Sequence, residues 1–176
     1  MRRLPDGAVE ALHAAALLSV AGALAWATGR PLVFPSLGPS AYLVAAGDTR
    51  PTGRELLGGH AVGVLAGLLA YHGLAGESAI TGAVTAASPA GARLAASAVV
   101  SVGLTTVAMA ATDTRHAPAC ATTLIVALGL LPTPTDAAVI AAGVAALFLA
   151  SRATVGLGAA LSATAAPDPT DADTER

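Results

Sequence analysis

The sequence predicts an all-α protein, a polytopic bundle of membrane helices, and three observations carry that prediction. Of 176 residues, 55% are hydrophobic and 11% charged, and mean hydropathy is +0.70, a balance far from that of a soluble domain. Charges are also widely spaced: 19 uncharged residues separate Glu10 from Arg30, 21 separate Glu55 from Glu77, and 19 separate Arg93 from Asp113. Each run is long enough to cross a hydrocarbon core of about 30 Å at a helical rise of about 1.5 Å per residue. Finally, the apolar residues are mostly Ala, Val, Leu and Gly, with one Trp, two Phe and two Tyr. Small side chains suit closely approaching helices, which lipid does not drive together by the hydrophobic effect.

In chain order, residues 1–8 form a short basic leader carrying Arg2 and Arg3. The first long helix is expected over 9–28. More membrane sequence follows it instead of a polar domain, so it is read as retained and not as a signal peptide. Further long helices are expected over 56–74 and 92–111, and a shorter regular one over 135–151, where Arg152 can snorkel. Between them lie "LVFPSLGPSAYLVAAG" at 32–47 and "HAPACATTLIVALGLL" at 116–131, each 16 residues long and opening on proline-interrupted backbone. Residues 9–160 thus read as one transmembrane domain. Residues 161–176 form a tail that holds four of the eleven acidic residues and is expected to be disordered.

As straight helices the two short segments reach only about 24 Å, so they either cross or re-enter. If they re-enter, the nine arginines divide five to four between the two sides, which carries no signal. If they cross, the division is seven to two, and the positive-inside rule places both termini in the cytoplasm of a cell-membrane protein. A shift of 82 residues lays the first half on the second, matching Val44 with Val126, Ala45 with Ala127, Gly47 with Gly129 and, more loosely, Ser40 with Thr122. Each half reads as a long helix, a short broken helix and a long helix, a 3+3 inverted repeat of the kind secondary transporters use.

Several functional classes have no visible machinery. There is no P-loop, dinucleotide fingerprint or HExxH motif. A single cysteine allows no intramolecular disulfide and argues against a metal site. Nine arginines that flank helices, almost without aromatic partners, do not make a nucleic-acid surface. The chain is therefore expected to be no enzyme and to use no cofactor or metal, with the lipid bilayer as its main partner and a homodimer as its expected assembly.

"HAPACATTL" at His116–Leu124 resembles the "HPPAGATAL" signature of the HPP family of integral membrane proteins. "LGPSAYLV" from Leu37 and "RELLGGHAVGVLAG" from Arg54 are similar to that family's "FGASAVLL" and "RNVIGGHLLSALVG". Ala117 and Cys120 depart from the signature. The resemblance implies a membrane domain described with four helices, and transport of a small inorganic anion, with nitrite the leading example.

A monoanion in a membrane needs donors that attract without trapping it. The N-termini of broken helices offer unpaired N–H groups and a positive dipole end. Gly38 is expected to allow close backbone approach, Pro118 to set the second break, and Ser40, Thr122 and Thr123 to add hydroxyls. His60 and His116 are candidates for coupling protons to anion movement. Arg54 and Arg115 are expected either to gather anions at a mouth or to set topology. In the alternative reading the chain is a non-transporting anchor or sensor that acts through protein partners, and the prolines, glycines and hydroxyls only shape and pack the bundle.

Overall fold

A computed structural model describes residues 6–46, 50–82 and 84–164. Among these, every regular element is a helix: α1 (Asp6–Thr28), α2 (Leu37–Ala46), α3 (Arg54–Ala75), α4 (Pro89–Thr112), α5 (Ala119–Ala127) and α6 (Pro134–Thr164). Four helices are long and apolar enough to span a membrane: α1, α3, α4 and α6. α2 and α5 are the two short ones. The acidic tail expected over 161–176 lies outside the described residues from 165 onward.

Local chemistry sets the boundaries. Pro31 and Pro35 remove backbone donors and hold the preceding residues extended, so 31–34 run as open chain and α2 starts at Leu37. α3 opens on a capping box: Glu55 accepts from the Thr52 N–H at 2.7 Å, and Thr52 Oγ1 accepts from the Glu55 N–H at 3.2 Å. α6 opens on the same device, Thr133 with Asp136, at 3.0 and 3.1 Å. Ser88 caps α4 by accepting from the Gly91 N–H, with Pro89 at the first helical position. α3 is wound wider, as π-type turns, at Arg54–Gly58 and Tyr71–Ala75.

The packing resolves how the short segments run. Thr114 lies beside Gly58 near the start of α3, and Gly129 lies beside Tyr71 and Ser78 at its end. Residues 114–129 therefore travel the full length of α3. They manage this because an extended residue advances about 3.3 Å where a helical one advances about 1.5 Å. Gly129 has φ +74°, and a Cβ there would sit 2.8 Å from the Ser78 carbonyl oxygen, so only glycine fits. In the first half, Leu32 and Phe34 meet Gly143, the tenth residue of α6, and Arg50 and Thr52 line one cavity with Phe148 and Arg152.

Both short segments thus connect the two ends of the bundle. Arg50, Arg54, Arg115 and Arg152 gather at the Arg54 end. Arg93 sits beside Gly76 at the other end, where Arg30 follows α1. His13 near the start of α1 bonds Thr154 of α6 at 3.0 Å, so those two ends share the Arg54 side.

Contacts between helices outline two three-helix groups, joined where the start of α3 packs on α6. α3, α4 and α5 pack together, and so do α1, α2 and α6. Each group borrows its third helix from the other half of the chain. Two pairings correspond, α4 on α5 with α1 on α2 and α3 on α4 with α6 on α1, whereas the extensive α3–α5 contact has only a slight counterpart between α6 and α2. Gly59, Gly63 and Gly67 line the α3 face toward α5, where Cβ atoms would come within 3 Å of α5 or of the chain leading into it. The core at the junction of the groups is Leu37, Val44, Leu56, Ile140, Val144 and Leu147. Outward faces carry exposed Leu65, Val99, Val107 and Leu149, as a lipid-facing surface requires.

Candidate functional site

Where α2 meets α3 and α5, five polar side chains lie together, each at most 2% exposed: Ser36, Ser40, His60, His116 and Thr122. Ser36 and Ser40 belong to the α1–α2–α6 group, and the other three to the α3–α4–α5 group. Ser36 Oγ lies 2.6 Å from Thr122 Oγ1, and Ser40 Oγ lies 3.0 Å from His60 Nε2 and 2.9 Å from His116 Nε2. His60 Nδ1 lies 2.7 Å from Thr122 Oγ1. The two imidazole rings are 5.1 Å apart between centroids and tilted by 59°. Among the described residues, the side-chain hydrogen bonds joining the two groups are all in this cluster.

Donor counting assigns the protons. A carbonyl only accepts, so the single Ser40 proton goes to the Ser36 carbonyl oxygen at 3.0 Å. The Ser40 oxygen then accepts from both histidines, which must each carry hydrogen on Nε2. With one proton per neutral imidazole, His60 Nδ1 is a bare acceptor and takes the Thr122 proton, and Thr122 in turn accepts from Ser36. Every proton has one destination and the cluster carries no net charge. No buried polar side-chain atom among the described residues lacks a partner, as a low-dielectric interior demands.

Two cavities open on the cluster along the seam between the groups. A vestibule of about 400 Å³ at the Arg54 end is lined by Leu43, Arg50, Thr52, Glu55, Arg115 and His116, among others. A groove of about 350 Å³ between α3 and α6 is apolar, with His60 beside Leu57, Val64, Ile140 and Val144. His60 is the seventh residue of α3, so the cluster lies about 9 Å in from the Arg54 end.

The structure brings together four of the residues singled out from sequence, Ser40, His60, His116 and Thr122. It also places Ser36 there, whose signal was its position four residues before Ser40. Thr123 turns the other way and bonds Thr105 of α4 at 2.8 Å, because successive helical residues point about 100° apart. Gly38 is half-buried and a Cβ there would meet nothing, so no backbone approach depends on it.

Pro118 caps α5, but that end is not open. The N–H groups of Ala119, Cys120 and Ala121 bond the carbonyls of His116, Ala117 and Pro118 at 2.9 to 3.1 Å. At α2, Leu37 and Ser40 likewise bond Phe34 and Ser36. At α5 the polar groups left at the break are therefore side chains and not the backbone donors expected there. Arg54 bonds the Thr112 carbonyl and ties the start of α3 to the end of α4, whereas Arg115 lines the vestibule.

The fold and the polar seam define an integral, multi-pass helical membrane protein. A family model, the HPP transmembrane region, matches residues 3–155. The chain therefore belongs to the HPP transmembrane family. No curated protein and no solved structure matches it significantly.

Proposed function

We propose that the protein carries a small inorganic anion, such as nitrite, across the cell membrane, with both termini cytoplasmic and the α2–α3–α5 seam as its pathway. One observation carries this reading. The buried polar cluster lies between two helical groups, behind a vestibule that Arg50 and Arg115 make attractive to anions. Rocking of one group against the other, as in transporters built from repeats, has to part three side-chain links, Ser36–Thr122, Ser40–His60 and Ser40–His116. No fixed charge lies in the cluster, so nothing there holds a monoanion permanently once the vestibule arginines have gathered it.

The test is nitrite uptake into vesicles containing purified protein, measured against protein-free vesicles. Ala61 and Ala141 line the same seam groove from α3 and α6. A double cysteine variant at these positions, made in a Cys120→Ala background, is expected to lose uptake when bridged by a short dithiol crosslinker that reductant can cleave, and to recover it after cleavage. Uptake equal to that of empty vesicles sinks the transport reading. The second reading, an anchor or sensor without transport, rests on the completeness of the hydrogen bonding, which suits a static clasp. That outcome would show no uptake but a stable association with one partner protein.

A further inference from the structure

We infer that the anion enters together with exactly one proton, taken up on His116 Nδ1, so that each transport step is electroneutral. This rests on the transport reading above and adds its coupling.

The argument starts from the one nitrogen the cluster leaves open. His116 Nε2 is committed to Ser40, and among the described residues Nδ1 has no bonding partner, although the residue is 98% buried. His116 lines the vestibule, and Nδ1 is not a sealed, unsatisfied atom. With hydrogen fixed on Nε2, Nδ1 presents a lone pair. A lone pair repels an arriving anion, and Nδ1 becomes a donor only after it binds a proton. Proton and anion therefore stabilise each other at the same nitrogen: a proton from vestibule water bonds Nδ1, the ring becomes an imidazolium, and its new N–H donates to the anion. Release on the far side returns both, with no other covalent bond changed.

The geometry limits the count to one. A second proton has no place on His60, whose Nδ1 already accepts from Thr122 and whose Nε2 already donates to Ser40. A charged His60 would also stand 5.1 Å from a charged His116. The charged groups facing His116 are Glu55 at the start of α3, Arg115 next to it in the chain, and Arg50 from the connection before α3. Glu55 is occupied by the Thr52 cap at 2.7 and 2.8 Å. From α2, the described neighbours are Ser40 and Leu43, and neither titrates.

The experiment uses purified full-length protein in vesicles, with nitrite as the probe and protein-free vesicles subtracted. Initial uptake is expected to rise with an inward proton gradient and to ignore a clamped membrane potential. A bare monoanion would instead shift its accumulation about 50-fold per 100 mV. His116→Gln keeps an N–H for Ser40 but has no second protonation site, and its gradient-driven uptake is expected to vanish.

A readout independent of flux is nitrogen-15 labelling of the histidines, with the His116→Gln spectrum as the assignment. Near neutral pH, His116 is expected to show one bare nitrogen without nitrite and two protonated nitrogens at saturating nitrite. Uptake that follows potential and not the proton gradient overturns the coupling and leaves transport standing. An unchanged His116 spectrum at saturating nitrite overturns it as well. No uptake at all removes the transport reading itself.

Discussion

Gly63→Ala tests the link between helix packing and the buried cluster. A Cβ at position 63 would lie 2.7 Å from the Ala119 carbonyl oxygen and 2.9 Å from Thr123 Oγ1. The first contact is backbone and cannot swing aside. Restoring ordinary van der Waals distance requires α5 to withdraw from α3 by about 0.7 Å, and overpacking of this kind costs roughly 1–3 kcal/mol. The same withdrawal stretches the His60–Thr122 bond from 2.7 Å toward about 3.4 Å, which forfeits most of a further ~1 kcal/mol. The expected loss is therefore roughly 2–4 kcal/mol. It can be read from unfolding in mixed micelles at rising dodecyl sulfate, followed by far-ultraviolet circular dichroism. Gly103→Ala in α4, where a Cβ meets nothing within 4 Å, is the control and is expected to stay within about 0.5 kcal/mol of wild type. Equal stability of the two variants would refute the account of α3 and α5 as helices held apart by hydrogen alone.

The other predictions concern the cluster, the caps and the topology. Ser40→Ala removes the acceptor of two buried N–H groups, at about 1–3 kcal/mol each, so the same unfolding titration should show a loss of roughly 2–6 kcal/mol. A loss below 1 kcal/mol would contradict the proton assignment. Thr52→Ala and Thr133→Ala each delete one capping box and should cost about 1 kcal/mol apiece; a strongly unequal pair would argue against equivalent helix starts in the two halves. Single cysteines replacing Arg50 and Arg30, each in a Cys120→Ala background, should react with an impermeant thiol reagent from opposite faces of a sealed membrane. Reaction from one face would overturn the crossing of 32–47.

The long helices were legible because charges are excluded from lipid, and a charge-free run of about 20 residues leaves few alternatives. The short segments were not, because their length was judged at helical rise. The extended lead-ins, 31–34 and 114–116, supply reach that composition does not reveal. The cluster was half legible. His60 and His116 stood out as ionisable groups in apolar sequence, yet nothing in "ATTL" tells which threonine faces α3, since that depends on the phase of a helix whose start is fixed by a tight turn. The same turn consumes the N–H groups of Ala119, Cys120 and Ala121, so the open donors that sequence predicts at this helix end are already bonded. Ser36 is not legible in sequence because it precedes its helix and its partner, Thr122, lies 86 residues away.

The exchange of α3 and α6 between the two helical groups has a consequence for biosynthesis. α3 is made before the helices it packs against, so its three facing glycines must wait in the bilayer, or beside the insertion machinery, until α4 and α5 emerge. α1 and α2 likewise wait for α6, the last of the described helices. The α3–α4–α5 group can close only once α5 is inserted, and the α1–α2–α6 group only once α6 is. A premature stop in α6 should therefore leave α1 and α2 without their partner, and the quality-control proteases that survey unassembled membrane helices should meet a chain whose α3–α4–α5 group is already folded and whose α1 and α2 are not.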